Sequence, residues 1–169
     1  GGKPTRFSED ANGDGKPDDV TGQLLRQQVD GRPLHEAELV SILRNWTAGE
    51  VGTLSAATGI LVRYLAALPE LQQQLRDEPR RLPYAIDEIL RIEGPLLTNR
   101  RVTTSTVELG GRRIEAGQRI TLMWTAANRD GRVFAEPTCF RWDRDQSQNL
   151  LYGAGIHVCP GAPLARRLM

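Results

Sequence analysis

Up to Pro95 the apolar residues of this chain recur at steps of three and four, and beyond it that period is lost. Such spacing places apolar side chains on one face of a helix, whereas short alternating runs suit strands. Residues 19–29 (DVTGQLLRQQV) read as a short amphipathic helix closed by a turn at Asp30-Gly31. Pro33 then opens a long helical pattern through Leu39, Ile42, Leu43, Trp46, Leu54, Ile60, Leu61 and Leu65. The pattern predicts a helix over 34–68 that Pro69 stops. Residues 70–77 and 80–92 read as two more helices separated at Pro79.

Residues 100–109 and 112–124 carry Val, Thr and Ile, with Gly110-Gly111 and Ala116-Gly117 as turns. They predict short β strands across 100–124. Residues 125–150 have no sustained period, and 151–169 pass from a Gly-rich loop into a helix-like run. At the other end, residues 1–17 read as a flexible acidic, Gly-containing linker. The expected fold is mainly α with small β sheets. Composition narrows the function classes. A formal net charge of +1 over 169 residues gives no sign of nucleic-acid binding. Two cysteines make no disulfide framework, and a reduced thiol suits the cytoplasm. No run of 18 apolar residues exists, so no membrane span is expected. The first residue is Gly rather than Met and no signal peptide is visible.

The densest chemistry lies in LLYGAGIHVCPGAPLARRL, residues 150–168. Glycines permit turns there that a Cβ would block. Pro160 and Pro163 suit the first turn of a following helix. A cysteine ahead of a helix N-terminus meets unpaired N–H donors, which favour thiolate over thiol. A thiolate in such a frame is what a haem iron takes as an axial ligand.

These residues resemble the haem-binding signature of the cytochrome P-450 family, F-x-x-G-x-H/R-x-C-x-G. Here it reads Tyr152-Gly-Ala-Gly155-Ile-His157-Val-Cys159-Pro-Gly161. Tyr152 replaces the usual Phe and adds a hydroxyl that needs a partner if buried. The resemblance implies Cys159 as metal ligand, with Tyr152, Gly155, His157 and Gly161 around the cofactor. It also implies the fold, the C-terminal part of the mainly helical P-450 fold. Glu88-Ile-Leu-Arg91 resembles the family's E-x-x-R motif, whose two side chains share a helix face. A third, basic partner is expected just before a Phe. That place holds Cys139, ahead of Phe140, so Arg141 or Arg144 must substitute. Arg101, in Asn99-Arg100-Arg101-Val102, falls on the family arginine that binds a haem propionate, and His157 resembles the other propionate partner.

The long helix carries a departure. Family members have A/G-G-x-D/E-T above the iron, where the acid relays protons and the Thr orients water. This chain reads Ala48-Gly49-Glu50-Val51-Gly52-Thr53. Ala48 and Gly49 keep the cofactor-facing positions, while Glu50 and Thr53 are the right chemical types, each displaced by one. One residue is about 100° on a helix, so only a local bulge would return them to the usual places. Three mechanisms stay open: a relay through Glu50 and Thr53, substitution by ordered water or substrate, and use of peroxide.

The resemblance implies haem b with electrons from NAD(P)H through a ferredoxin- or flavodoxin-type partner. It implies a small apolar organic substrate that receives one oxygen atom, and a cytoplasmic location. It runs from about Asp18 to Leu168 and corresponds only to the C-terminal part of a P-450, so the expectation is a fragment. The alternatives are a haem-binding or structural fragment without turnover, or a peroxide-using haem-thiolate enzyme. Separately, Asp10 to Thr21 matches a calcium loop at several positions but lacks its final carboxylate. A solvated linker is the other reading of that stretch.

Overall fold

The computed structural model describes residues 19–169, and these fall into two compact units divided between Glu50 and Val51. The linker expected over 1–17, and the calcium-loop positions before Asp19, lie outside the described residues.

In the first unit the Asp19 carboxylate accepts the Gly22 N–H at 2.8 Å and caps helix α1, Val20–Leu25. The expected helix over 19–29 therefore ends early. Asp30 and Gly31 take positive φ (51° and 75°), the geometry of a tight hairpin turn, and pair β1 (Gln28–Val29) with β2 (Arg32–Pro33). Pro33 is thus a strand residue rather than a helix opener. Helix α2, Glu36–Ala48, starts after it, with the Glu38 carboxylate gripped by Arg32 at 2.8 and 2.9 Å. Glu38 also accepts the His35 N–H at 2.7 Å.

The helical backbone continues through a π turn, Gly49–Thr53, into α3, Leu54–Ala66. The helix expected over 34–68 is therefore shorter at both ends and interrupted near its middle. Pro69 does not simply stop it; Pro69 opens the next helix, α4 (Pro69–Asp77), at a first-turn position that needs no N–H donor. A 3-10 turn, Pro79–Arg81, leads into α5, Leu82–Glu93.

Helix α5 is the centre of the second unit. Its buried Ala85, Ile86, Ile89 and Leu90 meet Ala57 and Leu61 of α3 and Leu71 and Leu75 of α4. Each large aliphatic side chain taken from water contributes about 1.5–3 kcal/mol before entropy is counted. Phe140, Trp142 and Leu151 close the cluster from the irregular chain that follows.

The strands of the second unit form two separate antiparallel ladders. In the longer, β3 (Thr98–Val102) pairs with β6 (Arg119–Met123), so that Arg101 faces Ile120. In the shorter, β4 (Val107–Leu109) pairs with β5 (Arg112–Ile114) around Gly110-Gly111. The expected strand run reached 124, but Trp124–Ala127 is a short helix, α6. From 128 to 154 no helix or strand forms.

Candidate functional site

The cysteine loop is fixed mainly by its own backbone. The Gly153 N–H donates to the Leu150 carbonyl at 2.9 Å, and the Cys159 N–H donates to the Tyr152 carbonyl at 2.8 Å. Between them a 3-10 turn, Gly155–His157, carries His157 at its end. Gly153 and Gly155 take φ of 74° and 67°, which L side chains rarely adopt. Gly161 is different: a Cβ there would make an ordinary contact with Cys159 Sγ at 3.8 Å, so no close approach requires glycine. Helix α7, Ala162–Leu168, follows with Pro163 in its first turn.

Cys159 is exposed, and its neighbours are apolar and exposed as well: Ile156 is 96 % and Val158 53 % accessible. An apolar rim around a free thiol suits a flat apolar group that a thiolate can ligate. Haem has those properties, and the loop fits it on that ground.

Tyr152 lies half-buried in the same loop, its hydroxyl buried without a hydrogen-bond partner. Burial, and then the Asp87 carboxylate, push that hydroxyl up to about 12. The Arg166 guanidinium stacks 4.5 Å from the Tyr152 ring centre and binds Asp87 at 2.9 Å.

Behind the loop lies a buried charge network. Glu88 and Arg91, both wholly buried, form a two-pronged pair at 2.9 and 3.0 Å. Arg144 is the third partner: its Nε reaches Glu88 at 2.7 Å, while its other nitrogens bind the carbonyls of Ala135, Glu136 and Cys139. Gln146 adds a fourth bond to the same carboxylate at 2.9 Å. Burial alone would raise the Glu88 carboxyl, but the bonds from Arg91, Arg144 and Gln146 outweigh it and hold it below the usual range. Arg91 also binds the carbonyls of Asn128 and Pro137 at 2.6 and 2.9 Å. Buried Asn128 in turn accepts the Leu150 N–H at 2.8 Å. The network thus ties α5 to the entry of the cysteine loop.

Arg101 sits half-buried on β3, beside an open groove that it lines with Arg100, Val102 and Arg119. Its nearest hydrogen bond is to the Arg100 carbonyl at 2.8 Å, and it forms no ion pair with a described residue. Asn99 anchors the start of that strand through the Trp124 indole N–H. The structure gathers Tyr152, Gly155, His157, Cys159 and Gly161 into one loop. No hydrogen bond joins Arg101 to that loop among the described residues. Ala48 and Gly49 end α2 and enter the π turn, both exposed. Thr53 ends the same turn and is exposed, and the Glu50 side chain lies outside the described residues.

Asp87, Asn128, Gln146 and Arg166 were not singled out chemically from the sequence. Asn128, at the end of α6, carries no local pattern that marks it as buried. The others act across long sequence separations that no local spacing encodes.

A family model described as cytochrome P-450 matches residues 5–169. The chain belongs to the cytochrome P-450 family. Cyclomarin C epoxidase CymV of Salinispora arenicola is 37 % identical over 150 residues, covering 88 % of this chain and 38 % of that protein. The epothilone C/D epoxidase of Sorangium cellulosum is 36 % identical over 149 residues, covering 88 % of this chain and 36 % of its own length. Among solved P-450 structures, the post-tailoring hydroxylase HmtN of himastatin biosynthesis superposes with a TM-score of 0.80 at 35 % identity. That match covers 86 % of this chain and 39 % of HmtN. A carbohydrate-active P-450 gives 0.82 at 33 % identity, over 89 % and 40 %. The chain therefore spans about two-fifths or less of the P-450 proteins it matches. The mainly helical fold with small sheets is that of their corresponding part. No single helix among the described residues is long and apolar enough to cross a membrane.

Proposed function

We propose that this chain carries the haem-thiolate part of a monooxygenase, with Cys159 as the residue that would ligate the iron. The observation that carries the reading is the exposed Cys159 thiol, pinned through its N–H to Tyr152 and rimmed by exposed Ile156 and Val158. Haem bound there supplies the redox and dioxygen chemistry. The protein's part is to hold and shield it. The backbone bond at Cys159 fixes the thiolate's direction. Arg101 and His157 take the two propionates, for which a planar guanidinium is well suited. Gly155, at φ 67°, gives the loop a turn that a side chain would strain.

The π turn supports one of the mechanisms over the others. A π turn takes up one residue more than an α turn. Counted from Ala48-Gly49, Thr53 stands one place late for the family's alcohol, and a turn that absorbs one residue restores it. Thr53 is then the group that orders water and delivers protons. Glu50, on the near side of the extra residue, gains no such correction and acts at most through water.

The substrate is a small apolar organic molecule that receives one oxygen atom, and electrons come from NAD(P)H through a ferredoxin- or flavodoxin-type partner. The test is turnover by a protein that joins this chain to the N-terminal part its relatives possess. With a surrogate reductase and labelled dioxygen, one labelled oxygen atom in the product is expected. Product formed only with added peroxide, and none with dioxygen, would move the assignment to a peroxide-using enzyme.

A further inference from the structure

We propose that Tyr152 is a positioning residue for Cys159, acting through a clamp that it forms with Asp87 and Arg166. The proposal rests on the reading of Cys159 as the haem ligand. Three observations converge on it. Tyr152 is bonded directly to the ligand residue, its carbonyl accepting the Cys159 N–H at 2.8 Å. Its ring is covered by Arg166 of α7 at 4.5 Å, and Arg166 reaches across to Asp87 of α5 through two nitrogens, at 2.9 and 3.1 Å. Its hydroxyl is one of two buried side-chain polar atoms among the described residues without a hydrogen-bond partner.

A phenylalanine would supply the ring and the cation stacking equally well. The hydroxyl must therefore act on something else, because a buried donor left unmet destabilises the fold. The Arg166 that covers the ring also holds the Asp87 carboxylate, and that carboxylate is the acceptor the clamp offers the phenol. A carboxylate has about four acceptor sites, so one aspartate can serve the Arg166 fork and the phenol together. The clamp closes when the phenol donates to that carboxylate. Asp87 directly precedes Glu88, so the clamp anchors the ligand loop to the most buried helix of the unit. Helix α5, the ligand loop and α7 then move as one piece, and Cys159 is held from both sides.

Tyr152→Phe, Asp87→Asn and the double variant test the clamp. In the haem-free chain, each single change should speed hydrogen exchange at the Cys159 amide about fivefold, and the double change no further, since one bond is lost once. In haem-loaded protein, Tyr152→Phe should broaden the spread of low-spin g values, which reports thiolate orientation. Restoring the phenol with 3-fluorotyrosine should return it. Exchange unchanged or slower in Tyr152→Phe would mean the hydroxyl is a mere orphan and would overturn the clamp. A lower melting temperature with unaltered g values would do the same, because the role would then be structural only. Failure of the protein joined to the N-terminal part of its relatives to take up haem would defeat the functional reading. The exchange comparison in the haem-free chain would still decide the clamp.

Discussion

Glu88 is the carboxylate on which the buried charge network converges. It is wholly buried and receives bonds from Arg91, Arg144 and Gln146. Removing one member of such a buried set leaves charge uncompensated, at a cost of about 3–5 kcal/mol. Glu88→Gln should therefore lower the urea midpoint sharply, and Arg91→Met should do so as well. An unchanged midpoint in either would mean the pair is dispensable to the fold. The pH dependence has a definite sign. The folded-state carboxyl is held down, so its contribution is complete above the ordinary glutamate value of about 4.3 and is lost as pH falls through the lower folded value. Glu88→Gln should flatten that acid limb of the stability curve, with stability above pH 6 reduced throughout.

At the scale of elements, the π turn and the cysteine loop give the sharpest predictions. Deleting Val51 removes one residue and should turn Gly49–Thr53 into ordinary α-helix while leaving Thr53 at the alcohol position. Coupling of oxygen consumption to product should survive that deletion in the haem-loaded protein. Thr53→Ala should instead raise unproductive oxygen consumption, costing about a hundredfold in productive turnover, the low end for a lost proton-transfer group. Loss of coupling on deletion with none in Thr53→Ala would reverse the assignment.

Much of this scale was legible in the residues. Period-three-and-four spacing found α3, α4 and α5, and the glycine doublet at 110–111 marked a real hairpin turn. The displacement in Ala48–Thr53 made a local bulge the condition for restoring the usual places, and a π turn lies there. Other features were not readable. The apolar pattern across 19–29 looked helical because Val29 falls in phase, yet the Asp30-Gly31 turn claims residues 28 and 29 for a strand. Pro33 and Pro69 exchanged expected roles, since proline suits strand edges and first turns equally and only the pairing partner decides. Substitution by Arg144 for the basic partner could be narrowed to two arginines but not to one. That choice depends on how 128–154 folds back, which no period encodes.

For the molecule as a whole, stability is concentrated in one place. Helix α5 supplies half of the buried apolar cluster of its unit and the centre of the buried charge network besides. Hydrogen exchange should therefore be slowest from 85 to 92 and fast in the β4–β5 hairpin, whose residues are nearly all exposed. Equal protection in the two would contradict a core built on α5. The ligand loop should lie between them, because Asn128 and Arg166 tie it to the core while Cys159 itself remains exposed.

The central claim is ligation of haem iron by Cys159, and the most direct measurement is the absorption spectrum of the reduced, carbon-monoxide-bound protein after haem addition. The account predicts a strongly red-shifted Soret band with the parent sequence and its disappearance in Cys159→Ser. The same band persisting in Cys159→Ser would contradict it.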